Sequence, residues 1–122
     1  MRVIFEDVVV PDVGSLDLSV PATPEIRISA VRARQLVGIY MGNYVGLFLH
    51  GQTLDELVVR EDRVYWRVPV ILSRGRQGRI GIVGAVDVDA DTGELMLDDL
   101  LIAEIKENAR NLTTRQALEP VG

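Results

Sequence analysis

The sequence contains no cysteine and a single histidine, His50. A disulfide framework, a thiol nucleophile and any thiolate metal site are therefore excluded. One histidine cannot form a histidine pair around a metal, and the expectation is that no metal and no cofactor is needed. Long apolar runs are also lacking. The opening stretch MRVIFEDVVVPD is broken by Glu6, Asp7 and Pro11, so it does not read as the apolar core of a secretory signal. The most apolar later stretch, residues 36–49, is interrupted by Gly38, Gly42, Asn43 and Gly46 and is too short to span a bilayer as a helix. An excess of positive charge is missing as well. With a net charge of −5, general nucleic-acid binding and membrane association are not expected. A soluble cytoplasmic protein is the expectation, and the lack of cysteine fits a reducing compartment.

What remains is ordinary globular material: 122 residues, 48% hydrophobic and 25% charged. That is enough for one α+β domain over residues 1–122 with a core of its own. The clearest pattern runs from Val64 to Leu97. Val64, Trp66, Val68, Val70 and Leu72 alternate with Tyr65, Arg67, Pro69, Ile71 and Ser73. After a loop from Ser73 to Arg79, Ile80, Ile82, Val86 and Val88 continue on even positions, with Gly84 among them. Side chains on a strand repeat every two residues, so the even set predicts one buried face. A hairpin centred on Arg76 keeps even opposite even. Trp66 should be central in the core.

Around this meander the chain reads in order as follows. Residues 2–10 form a strand, Pro11-Asp12-Val13-Gly14 a turn, and Leu16, Leu18 and Val20 a partner strand. Residues 1–24 are thus an N-terminal hairpin and a stiff connector, the latter ending at Pro24. Ser29 caps a first helix whose stripe is Ala30, Ala33, Val37, Tyr40 and Met41. Gly42 or Gly46 ends it. Leu54–Arg60 is a strand joined to the meander at Glu61-Asp62, either as a tight turn or as a longer, bulged one. This pairing sets Val59 opposite Val64 and Leu57 opposite Trp66. Asp91-Thr92-Gly93 turns the chain into a short strand, Leu95–Leu97. Asp98 or Asp99 then caps a second helix with the stripe Leu101, Ile105, Ala109 and Leu112, packed near the sheet edge. Residues 113–122 read as a frayed tail. The fold expected is an antiparallel meander on the first helix, with a second C-terminal helix.

Three pieces of this run, SAVRARQLV in the helix, VYWRVPV in the middle strand and VDVDADTGEL at the end, resemble a PepSY-type domain. The resemblance covers about half the chain, from Ile28 to Leu97. It implies a helix followed by a meander and a small inhibitory, regulatory or binding module. The export signal usual in that family is not seen here.

Other motifs carry little chemistry. Asp87, Asp89 and Asp91 alternate like a calcium loop, but Thr92 stands where the turn glycine is needed and strands flank the motif. Gly75, Gly78, Gly81 and Gly84 lie among arginines but precede a strand rather than a helix, so they read as a basic hairpin tip. The odd-numbered face is more informative. Tyr65, Ile71, Val83 and Ala85 sit there beside Arg67 and Asp87, more apolar than solvent would require. These six residues are the candidates for a ligand surface or an interface. The expected function is a non-catalytic binding or regulatory module, homodimeric through this face or the N-terminal hairpin, with a protein or small molecule as ligand. The alternative is a small enzyme or small-molecule binder with its site between sheet and helix, in which His50, Tyr65, Arg67 and Asp87 would have to converge.

Overall fold

The computed structural model describes residues 2–6, 26–52, 56–74 and 78–118. The elements in order are β1 (Arg2–Glu6), α1 (Ala30–Tyr44), β2 (Leu49–Gly51), β3 (Glu56–Arg60), β4 (Arg63–Arg74), β5 (Gly78–Asp89), β6 (Leu95–Met96) and α2 (Asp99–Leu118). The class is α+β, and the described residues form a mixed, mostly antiparallel six-stranded sheet. Its order is β1-β3-β4-β5-β6, and β2 pairs with the far half of β4.

The period-two pattern of β4 produces the expected core. Val64, Trp66, Val68, Val70 and Leu72 are buried on one face together with Ala33, Val37 and Met41 of α1. Val59 pairs with Val64 and Leu57 with Trp66, so the β3–β4 register is the expected one. The turn between them is the tight form, with Arg60 opposite Arg63. It holds Glu61 at φ 57°, a left-handed conformation that glycine or asparagine adopts more cheaply. The Trp66 indole N–H donates to the Ile28 carbonyl at 2.7 Å, so the ring is buried with its polar atom satisfied. The main-chain N–H groups of Arg27 and Ile28 both donate to the Ala90 carbonyl. These bonds fix the entry into α1 against the end of β5. Ser29 caps α1 as expected, its Oγ accepting from the Arg32 N–H at 3.1 Å. The helix ends at Tyr44, and the Val45 and Gly46 N–H groups both donate to the Met41 carbonyl. At the crossing of α1 and β2, a β-carbon on Gly51 would meet the Arg34 carbonyl at 2.7 Å. Only glycine allows that approach without a shift.

Four expectations are corrected. First, the sheet is not wholly antiparallel: β1 runs parallel to β3, Arg2 beside Glu56 through Glu6 beside Arg60. The long connection through α1 and β2 lets a chain return in the same direction. Second, the β4–β5 pairing is centred on Arg76 only near the tip, with Ser73 opposite Arg79. Register shifts between Val70 and Ile71 and between Leu72 and Ser73 change it further in. Even pairs with even from Trp66–Val88 to Val70–Gly84, but Ile71 faces Ile82 and Leu72 faces Gly81. These bulges turn Ile82 outward, where it is 56% exposed, and put Val83 in the core at 1%. Val83 is therefore not on the outer face. Third, α2 continues to Leu118, so the chain from 113 to 118 is helical rather than a frayed tail. Fourth, the closing strand β6 is only Leu95–Met96. The proposed turn at 11–14, the second arm of the N-terminal hairpin, the 21–24 connector and the hairpin tip at 75–77 lie outside the described residues.

The helix α2 lies along β5. Asp98 caps it, its Oδ1 accepting from the Leu101 N–H at 2.7 Å. Ile105 is fully buried against the core, and Leu101, Ala109 and Leu112 pack beside it. Asn108 Nδ2 donates to the Val83 carbonyl at 2.9 Å. The helix thus covers a stretch of β5 that the short β6 leaves unpaired. No helix among the described residues is long and apolar enough to cross a membrane.

Candidate functional site

The sheet face turned away from α1 carries a charge cluster built by register alone. Glu6 lies beside Arg60 in the parallel pair, and Arg67 lies opposite Asp87. All four side chains then point to the same side. Arg67 grips Asp87 with two bonds, Nε to Oδ1 at 2.9 Å and Nη2 to Oδ2 at 3.1 Å. Arg60 Nη2 reaches the same Oδ2 at 2.5 Å. Glu6 closes the other side, at 3.1 Å from Arg67 Nη1 and 3.4 Å from Arg60 Nε. Asp87 is the more buried of the two carboxylates, its side chain 11% exposed against 36% for Glu6. The Arg60 guanidinium also lies 4.9 Å from the centre of the Tyr65 ring, a cation–π contact.

Each arginine is held more firmly charged than usual. For Arg67 the hydrogen bonds to Asp87 dominate and outweigh partial burial, with Glu6 adding to them. For Arg60 burial acts first and lowers its pKa, but the Asp87 bond and the charges of Asp87 and Glu6 reverse the direction. Such a planar, paired guanidinium is rigid and retains donors on its far side.

Beside the cluster opens a cleft of about 710 Å³. Arg60, Arg67 and Asp87 form one wall. Ala85, Leu95, Met96, Leu97 and Leu101 supply an aliphatic surface, and Glu94 and Asp98 stand at the β6 side. Size and mixed lining suit a small ligand.

The sequence-derived candidates divide accordingly. Arg67, Ala85 and Asp87 line the cleft. Tyr65 is buried beneath Arg60. Ile71 shares the outer face but pairs with Ile82 and with His50, away from the cleft. His50 does not join Arg67 and Asp87, because its partner Ile71 is four residues along β4 from Arg67, about 13 Å. The constellation of His50, Tyr65, Arg67 and Asp87 therefore does not form. Arg60, Glu6 and the β6 residues were not among the candidates. Glu6 reaches the site through a parallel pairing that leaves no local signal. Arg60 could have been found, since the hairpin register already places it on the face of Tyr65 and Arg67.

The alternating aspartates have separate employment. Asp89 is buried, and its Oδ1 accepts from the N–H groups of Asp91 and Thr92 at 2.8 and 3.1 Å while Oδ2 meets Arg63 at 2.8 Å. Burial alone would raise its pKa, but these donors outweigh it and the carboxyl is held below its ordinary value. Comparison with known protein families, with curated proteins and with solved structures finds no match.

Proposed function

We propose that the protein is a non-catalytic binding or regulatory module, of the kind its PepSY-like motifs imply, and that it works as a homodimer. The observation that carries the binding reading is the outer-face cleft, where paired arginines and an aliphatic surface share about 710 Å³. Rigid charged groups beside apolar side chains orient a ligand without reacting with it. The alternative, a small enzyme, needs an acid or base among the cluster. His50 is too far along the sheet to supply one, and the carboxylates of Asp87 and Glu6 are both committed to Arg60 and Arg67.

Protein-observed NMR with a chemically diverse fragment set tests the binding reading. Fragments should shift the resonances of Ala85, Met96, Leu97 and Leu101. A set that moves none of them removes the cleft as a binding site.

The dimer is favoured by β1, which ends the sheet order among the described residues. Val3 and Phe5 are exposed on the same side of it. Antiparallel pairing of two β1 strands about Ile4 would set Val3 opposite the second copy's Phe5. Arg2 would face its Glu6 at both ends. Such a strand pair is self-complementary and would close an open edge. Light scattering should give a dimer, and Phe5→Lys should shift it to monomer with the fold retained. A strict monomer at high concentration, or a Phe5→Lys protein that stays dimeric, rules out this interface.

A further inference from the structure

We propose that the outer-face cleft binds a short aliphatic peptide of about three residues in extended form. Its carboxylate would lie on Arg60 and Arg67 and its ammonium group by Glu94 and Asp98. The proposal rests on the binding reading above and names the ligand class for that site.

The argument begins with the order of charges across the sheet. Arg67, Asp87 and Met96 lie in one row on β4, β5 and β6. Neighbouring strands are about 4.8 Å apart, so the row spans about 10 Å from Arg67 to Met96. Glu94 and Asp98 flank Met96 by two residues on each side. The cleft therefore presents guanidinium donors at its β4 side and carboxylates at its β6 side. Asp87 and Glu6 together balance the two guanidinium charges, so a carboxylate would be held here by the remaining N–H donors rather than by net positive charge.

Donors for a carboxylate are present. Arg67 uses Nε and Nη2 on Asp87 and Nη1 on Glu6, which leaves hydrogens on both terminal nitrogens. Arg60 uses Nη2 and Nε, which leaves Nη1. Both residues line the cleft, and Asp87 holds both groups in place. A carboxylate meeting them would find fixed, fully charged partners, the arrangement that planar guanidinium groups recognise best. Both arginines already meet a second carboxylate, that of Glu6.

At the other end, Asp98 has only Oδ1 committed, to the Leu101 N–H. Its second oxygen and the Glu94 carboxylate can receive an ammonium group. Between the ends lie Ala85, Met96 and Leu97, which suit aliphatic side chains. The length then follows. An extended chain advances about 3.3–3.6 Å per residue, so three residues span about 10 Å.

Isothermal titration with the tripeptide Ala-Val-Leu, its N-acetyl form and its C-terminal amide tests the proposal. The free tripeptide should bind, and each blocked form should bind about tenfold more weakly or worse, one lost charged contact each. Glu94→Gln, an exposed change, should make the protein less sensitive to N-acetylation without altering its preference for the free carboxylate. NMR shifts on Ala85, Met96 and Leu97 should accompany binding. No binding at millimolar peptide, or an amide that binds as well as the acid, overturns the ligand class. If fragments still perturb the cleft in that case, the binding reading survives and only the peptide assignment is lost. Peptide binding that leaves the cleft resonances unmoved overturns the proposed site.

Discussion

Gly84 of β5 faces Ile105 of α2 so closely that a β-carbon on Gly84 would stand 2.8 Å from Ile105 Cγ1. A β-carbon on Gly81 would meet Leu112 Cδ1 at 3.0 Å. Three residues of strand and seven residues of helix both advance about 10 Å, so the two glycines match two turns of α2. The three-residue glycine spacing is thus a seat for the helix. Ile105 is fully buried, so it can yield only by disturbing its core neighbours. Gly84→Ala should destabilise the protein by about 1–3 kcal/mol in urea denaturation. Ile105→Ala alone should also cost stability, but the two costs should not add, because truncating Ile105 opens the space the new methyl needs. A neutral Gly84→Ala would mean that α2 does not seat here.

The bulges in β4–β5 make a sharper test of register. Val83 is in the core, and Ile82 is more than half exposed. Val83→Glu would bury a charge with no partner and should cost more than about 3 kcal/mol, with loss of folded signal rather than a clean dissociation. Ile82→Glu should change stability by less than about 1 kcal/mol. Circular dichroism melts of the two variants decide it. The reverse order would restore strict even-numbered alternation through β5.

This contrast also marks how far the sequence could be read. Leu57, Val59, Val64 and Trp66 declared their register because alternation is a local property with a fixed period. Ser29 declared one helix start and the pair Asp98-Asp99 the other, with Asp98 the cap, because capping is a matter of one side chain and the next turn. A one-residue shift inside a long hairpin changes no composition. Its trace is Gly81 and Gly84 within a strand, a sign of a bulge or a close approach that local pattern does not separate from a hairpin tip. Pro69 marks a different irregularity, on the opposite side of β4. It sits in the gap where the partner on one side of β4 changes from β3 to β2, so its missing N–H interrupts a ladder already broken there. Half of the charge cluster, Arg67 and Asp87, was legible on one face. Glu6 was not, because a parallel pairing across some fifty residues depends on the whole fold.

The Glu61 turn gives a prediction of opposite sign. At φ 57° its side chain crowds the following carbonyl, a cost of about 1–2 kcal/mol that glycine escapes. Glycine also gives the unfolded chain more freedom, which removes about 0.5–1 kcal/mol of that gain. Glu61→Gly should therefore stabilise the protein by about 0.5–1 kcal/mol, seen as a higher urea midpoint with an unchanged slope. A lower midpoint would show that Glu61 contributes something beyond its backbone.

Asp89 gives the pH dependence. Its carboxyl titrates below the ordinary value of about 4, because the Asp91 and Thr92 N–H groups and Arg63 outweigh the effect of burial. A group whose pKa is lower in the folded state binds its proton more readily when unfolded. Its contribution to stability is complete above the unfolded value and fades as pH falls through the folded one. Asp89→Asn keeps one oxygen for the turn but loses the charge, so it should cost about 1–2 kcal/mol at neutral pH. The gap between the two proteins should hold from pH 7 down to about 5, then narrow steadily towards pH 2. Urea titrations at stepped pH measure it directly. A gap that stays constant to pH 2 would mean that packing around Asp89, and not its ionised bonds to Asp91, Thr92 and Arg63, holds the end of β5 in place.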